Sequence, residues 1–141
     1  MPFLKSYPAL DCVFLNSGIQ SQTRLSRAAE FDLAKFHNEI HVNFTSVVDL
    51  SIKFLPHLQA QKTPTSLIIT GTHLAVVPAT TMAAYSASKA ALTSFVDCLR
   101  EQNRKKPTKI IELYPPVVQS KFPSPDYCLM VGLNASCSGT S

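Results

Sequence analysis

The sequence predicts an α/β fold, a partial Rossmann-like doubly wound parallel sheet of about three strands with two long helices. Three observations predict it. Short apolar runs stand at residues 10–15, 66–70 and 109–114, stretches of helical periodicity at 31–61 and 82–103 separate them, and each run ends in a turn signal. Strand, crossover helix and strand in that order imply parallel strands joined by right-handed crossovers.

Each element has its own local reason. Cys12, Val13, Phe14 and Leu15 are apolar in succession, as in a parallel strand buried on both faces, and Asn16-Ser17-Gly18 stops the run. In 31–61, Phe36, Ile40, Phe44, Val47, Val48, Ser51, Phe54, Leu55 and Leu58 recur at three- and four-residue steps, the stripe of an amphipathic helix. Pro56 is expected to kink its last turns. Ser66-Leu67-Ile68-Ile69-Thr70 is rich in β-branched residues and leads to Gly71. In 82–103, Tyr85, Ser88, Leu92, Phe95 and Leu99 fall on or near one face, and alanines supply helix propensity. The run at 109–114 is a third strand, ended by Pro115-Pro116, which remove backbone donors. Residues 1–122 therefore read as one domain, and 123–141 as an irregular C-terminal tail in which 127–133 has the composition of a short strand or packed turn.

Composition excludes several functions. With 45% hydrophobic and 16% charged residues in 141, the chain is globular with a packed core. Its net charge of +4 concentrates at Arg100, Arg104, Lys105, Lys106 and Lys109, just past the second helix, where cations complement the helix dipole. Aromatic residues do not interleave with them, so nucleic acid is not an expected partner. Cys12, Cys98, Cys128 and Cys137 contain no Cys-x-x-Cys pair, and with His37, His41, His57 and His73 they make no zinc-site pattern. No metal is expected. Neither a signal-like stretch nor a run of about twenty apolar residues occurs, so the expected location is cytoplasmic, without a membrane partner.

The chemistry centres on Tyr85-Ser86-Ala87-Ser88-Lys89. Residues four apart share a helix face, and an ammonium beside a phenol favours the phenolate, so Lys89 is expected to lower the pKa of Tyr85. Spacing alone is a weak signal; topology strengthens it. Parallel sheets bind ligands outside the carboxyl ends of their strands. Asn16-Ser17-Gly18, Gly71-Thr72-His73 and Pro115-Pro116-Val117 all emerge there, beside the start of the Tyr85 helix.

With these segments in order, residues 10–122 resemble the short-chain dehydrogenase/reductase family. The resemblance rests on Asn16-Ser17-Gly18-Ile19, on Asn43 in the middle of the long helix, on the Tyr85 to Lys89 pentapeptide, and on Pro115-Pro116-Val117-Val118-Gln119-Ser120. Tyr114-Pro115-Pro116 looks most like fungal members. The resemblance implies an NAD(P)-dependent oxidoreductase that interconverts a small-molecule alcohol and its carbonyl by hydride transfer. It gives Tyr85 the proton transfer at the substrate oxygen, Lys89 the nicotinamide ribose and the tuning of Tyr85, and Asn43 a water in a proton relay. Thr72, thirteen residues before the tyrosine, takes the place of the serine that polarises the substrate carbonyl. Asn16, Gly18, Pro115, Val118 and Ser120, with Tyr85 and Lys89, would line NAD or NADP. The two long helices would form a homo-oligomer interface.

One departure from the family is large. Its members open with a strand, a Gly-rich turn and a helix whose N-terminus binds the pyrophosphate. Here the four glycines, Gly18, Gly71, Gly132 and Gly139, form no such loop. A truncated member is expected, with an unpaired first strand, most dinucleotide binding lost and little activity of its own. The same features suit a non-catalytic interaction protein that pairs its exposed strand or helix face with another subunit, or a coding sequence lacking upstream segments.

Overall fold

The computed structural model describes residues 2–115. Strands β1 (Cys12–Leu15), β2 (Thr65–Thr70) and β3 (Thr108–Leu113) form one parallel sheet in the order β1-β2-β3. Val13 stands opposite Leu67, and Leu67 opposite Ile110. Because side chains alternate along a strand, this register gathers Val13, Leu15, Leu67, Ile69 and Ile110 on one face. That face is the core.

Helices α1 (Pro2–Ser6), α2 (Leu33–Ile40), α3 (Ser46–Ala60) and α4 (Ala83–Gln102) accompany the sheet. From α3, Val47, Phe54, Leu55 and Leu58 pack onto the core face, and from α4, Leu92, Val96 and Leu99. Each such side chain taken fully out of water contributes about 1.5–3 kcal/mol. The opposite face carries Phe14, Ile68, Ile111 and Leu113, with Ile111 and Leu113 exposed. At the far end, Asn103 joins the two long helices: its amide donates to the Leu99 carbonyl at 2.7 Å and accepts from Gln59 at 2.6 Å.

The expected helix over 31–61 starts two residues later and is interrupted once. Its start is Leu33, because the Asp32 carboxylate caps the first turn by accepting from the Lys35 amide at 2.9 Å. Between α2 and α3 the chain makes a wider π turn over His41–Thr45, with the Ser46 amide reaching back to the His41 carbonyl. α3 continues through Pro56, whose exposed ring faces solvent. α1 has no counterpart in the expectations; its Leu4 packs against the core. The expected tail over 123–141 lies outside the described residues.

Two of the five residues of the basic cluster pair with acids three positions earlier. Arg100 meets Asp97 at 2.8 Å and Arg104 meets Glu101 at 3.7 Å. Exposed pairs of this kind contribute about 0–1 kcal/mol each. His37 and His41 are both exposed on the helix surface, and no described helix is long and apolar enough to cross a membrane. Among the described residues, no three His, Cys, Asp or Glu side chains are grouped to hold a metal.

Candidate active site at the carboxyl ends of the strands

The site begins with the ends of β1 and β2. Thr70, the last residue of β2, donates its hydroxyl to the Asn16 side chain at 2.6 Å, so the segment that follows β1 is held against the end of β2. Its backbone carbonyl accepts from the Lys89 ammonium at 2.8 Å. One residue therefore ties β1 and α4 to the same sheet edge. His73, after β2, lies against Tyr114, after β3, with ring centroids 5.5 Å apart. The three post-strand segments converge as the topology requires. Pro115 is the last described residue of the third segment, whereas Pro116, Val117, Val118 and Ser120 lie outside the described residues.

Asn43 organises the middle of the site. Its amide faces Ile19 as a neighbouring strand would: Oδ1 accepts from the Ile19 N–H at 2.8 Å and Nδ2 donates to the Ile19 carbonyl at 2.7 Å. Nδ2 also donates to Ser88 Oγ at 3.2 Å, and Ser88 donates to the Tyr85 carbonyl at 2.7 Å. The orientation of the amide follows from this network, since both Ile19 groups are matched only one way round. Asn43 is completely buried. It sits within the π turn, so the helix distortion and the side-chain clasp belong to one feature. Gly18 lies beside it: a Cβ there would stand 3.5 Å from Asn43 Oδ1 and 3.9 Å from Lys89 Nζ, ordinary contact distances.

Thr72 has two roles at once. Its hydroxyl oxygen accepts from the Leu74 amide at 3.3 Å, capping the short turn over His73–Ala75. Because that bond uses only a lone pair, the hydroxyl proton remains available, and the Thr72 hydroxyl favours the Tyr85 phenolate. Thr72, Tyr85, Lys89, Asn43 and Gly18 thus form one cluster, with Asn16 at its rim. Gly71 lets the Glu112 carboxylate lie close: a Cβ would come within 2.6 Å of it and displace that side chain, which accepts from Thr93 at 2.8 Å.

The electrostatics correct one expectation. Tyr85 is not lowered by Lys89; burial pushes its pKa above the usual 10.0, the Thr72 hydroxyl opposes this, and Glu39 adds to it. The ammonium lies 6.0 Å from the Tyr85 ring centroid and is itself committed to the Thr70 carbonyl. Desolvation of the phenolate therefore outweighs any benefit of the cation. Tyr85 is a neutral phenol at pH 7.

Lys89 is lowered from 10.5 to about 8, because burial disfavours its charge more than Glu112 restores it. The consequence for stability has a definite sign. Between pH 8 and 10.5 the unfolded chain holds a proton that the folded chain has released, so stability rises with pH across that window. Below it the burial penalty is fully present. Relative to Lys89→Met, the wild-type chain is expected to gain about 2 kcal/mol between pH 8 and pH 10, measured by urea unfolding at both. Equal differences at the two pH values would contradict this. Tyr85 acts oppositely: with its folded pKa raised, stability falls once pH passes 10.0.

Several members of the site were not foreseen. Ser88, the Thr70 carbonyl and Glu112 are ordinary helix or strand positions in the sequence, and Glu39 reads there as a surface helix residue. The helical spacing of Tyr85, Ser88 and Lys89 is the one signal that could have found Ser88. A cleft of about 320 Å³ lined by Arg24, Arg27, Asp32, Lys35 and Phe36 lies before α2. It includes none of the clustered residues, and hydrogen-bond geometry rather than hollow volume locates the site.

Comparison with known proteins identifies the family and the fold. The family described as "short chain dehydrogenase" matches residues 3–126. The chain is 39% identical over 118 residues to the uncharacterized oxidoreductase DltE of Bacillus subtilis, covering 83% of this chain and 46% of that protein. An uncharacterized oxidoreductase of Schizosaccharomyces pombe is 32% identical over 93 residues, covering 66% of this chain and 36% of its own length. The chain thus spans less than half of either relative. Among solved structures, an alcohol dehydrogenase from the archaeon Thermococcus sibiricus, complexed with 5-hydroxy-NADP, superposes with a TM-score of 0.73 at 24% identity, over 84% of this chain and 48% of that one. The NADH-dependent reductase A1-R' complexed with NAD gives 0.72 at 22% identity, over 84% and 50%. At these identities the structures establish the fold.

Proposed function

Because the chain belongs to the short-chain dehydrogenase family, we propose that it carries the proton-transfer half of an NAD(P)-dependent oxidoreductase interconverting a small alcohol and its carbonyl. The observation that supports this most is the buried Lys89, bonded to the Thr70 carbonyl at the end of β2 and 6.0 Å from the Tyr85 ring centroid, with the Thr72 hydroxyl favouring the phenolate from the same edge. A substrate oxygen placed there meets two hydroxyl groups. Thr72 donates to it and polarises the carbonyl, and Tyr85, held as the neutral phenol, gives up its proton as negative charge develops on that oxygen. In the reverse direction the same oxygen returns the proton to Tyr85.

When bound, a nicotinamide dinucleotide supplies or accepts the hydride. The residues present fit one end of it. Lys89 spends one N–H on Thr70 and has two further donors, with Gly18 leaving open the space that a Cβ would occupy 3.9 Å from the ammonium. Lys89, Asn16 and Gly18 would hold the nicotinamide ribose, joined by Pro115, Val118 and Ser120 from the segment after β3. Asn43 positions this group by fixing Ile19 and, through Ser88, the Tyr85 turn of α4. For the pyrophosphate the 141 residues contain no Gly-rich turn.

The test is calorimetric titration of NADH and NADPH into the chain alone and into a fusion that places the first half of the Bacillus subtilis relative ahead of residue 9. The chain alone is expected to show no saturable micromolar binding. The fusion is expected to bind one dinucleotide and to oxidise it with small aldehydes or ketones. Micromolar binding by the chain alone would contradict the division of labour, and a fusion that binds without turning over any carbonyl would contradict the chemistry.

A further inference from the structure

The loop between Thr72 and Tyr85 carries two side chains that neither the core nor the proton transfer uses. Val76 and Val77 are 76% and 71% exposed, more than any other large apolar side chain among the described residues. A single exposed valine is ordinary; two in succession on a fixed turn beside a site are not. The turn is fixed at both ends. The Thr72 carbonyl accepts from the Ala75 amide at 3.1 Å, and the His73 carbonyl accepts from the Val76 and Val77 amides at 3.0 Å each. Further on, the Ala79 amide donates to the Ser86 hydroxyl at 3.2 Å, next to Tyr85 on α4. Backbone bonds therefore hold both valines in water, outside the core.

Their place in the turn gives them a direction. Side chains three apart eclipse in a 3₁₀ turn, so Val76 stands over His73, whose ring lies 5.5 Å from that of Tyr114. His73, Val76 and Tyr114, all exposed, thus share one face at the carboxyl ends of β2 and β3. A ligand oxygen that meets both Thr72 and Tyr85 has this loop as its wall, because the loop runs from one to the other. From Thr70 to Ser88 there is no Asp, Glu, Lys or Arg. A charged substituent brought against the loop would give up water and find no ion partner on it. A hydrocarbon substituent would cover apolar surface that is already ordered, so its burial is opposed by little further ordering. We propose that Val76 and Val77 set the substrate class: a carbonyl compound whose substituent is an uncharged hydrocarbon chain or ring, seated on these two side chains while its oxygen meets Thr72 and Tyr85. This rests on the reading of those two hydroxyls as the proton-transfer pair.

Methyl NMR of the full chain titrated with 1-propanol, 1-butanol, 1-pentanol and 1-hexanol reads the valine shelf without cofactor or turnover. Shifts at Val76 and Val77 are expected to saturate, with affinity rising about two- to fourfold per added methylene. A variant carrying Val76→Ser and Val77→Ser, which leaves the core untouched, is expected to lose that rise. Affinity independent of chain length, shifts confined to Ile111 and Leu113 on the other sheet face, or a rise kept by the double variant overturns the proposal. The alkanol series on the unaltered chain decides it even if the double variant does not fold. In the fusion, kcat/KM is expected to climb by the same factor per methylene from propanal to hexanal and to be lowest for glyoxylate, whose substituent is charged. An active fusion that treats the aldehydes alike or prefers glyoxylate counts against the shelf alone. An inactive fusion, with hexanol still seated on Val76 and Val77 in the chain, counts against the oxidoreductase reading alone.

Discussion

Asn43→Ala is expected to lower the unfolding free energy of the chain by roughly 3–5 kcal/mol. The side chain is completely buried and makes bonds at 2.8, 2.7 and 3.2 Å to the Ile19 N–H, the Ile19 carbonyl and Ser88. Alanine removes all three and leaves the half-buried Ile19 groups and Ser88 without this partner, where each unpaired buried polar group costs about 1–3 kcal/mol. The π turn at His41–Thr45 would then have no clasp to hold against the loop. Chemical denaturation monitored by far-UV circular dichroism measures the loss. A change below about 1 kcal/mol would mean that water replaces the amide at little cost, and that Ile19 and Ser88 are held by other contacts.

That clasp also shows where sequence reasoning stops. The three strands and the two helical stretches were legible because each repeats a period: alternating or continuous apolar residues for Val13, Leu67 and Ile110, and three- and four-residue steps for Val47, Phe54, Leu92 and Val96. The convergence of Asn16, Thr72 and Tyr85 followed from strand direction alone. The π turn did not follow, because one extra residue per turn shifts an apolar stripe too little to be seen in a periodic pattern. The cap at Asp32 was present as a signal, an aspartate immediately before the first helical residue, and it overrides the apolar Phe31 as the start of the helix.

Glu39 and Lys89 mark a different limit. Glu39 stands between Phe36 and Ile40 on an amphipathic helix, and such a residue reads as solvated, whereas in the fold it is buried and accepts from the Ser21 hydroxyl. Lys89 was legible as a neighbour of Tyr85, yet spacing carries no information about desolvation. The direction of the Tyr85 shift depends on burial, on the Thr72 hydroxyl and on Glu39, which come from three separate segments. Sequence separation hides such sums.

The neutral Tyr85 phenol gives the account its sharpest functional consequence. A positioned acid contributes about 10²–10⁴ to a proton-transfer step, and phenylalanine removes only the hydroxyl while keeping the ring on α4. Lys89 stays bonded to the Thr70 carbonyl and Gly18 stays open, so dinucleotide binding should be unaffected by the change. The decisive measurement is therefore steady-state oxidation of NAD(P)H with a small carbonyl by the fusion carrying the family's Gly-rich half, compared with its Y85F variant. A fall in kcat of about 10²–10⁴ with unchanged dinucleotide affinity is the predicted result. Turnover by the Y85F fusion at the parent rate would contradict it.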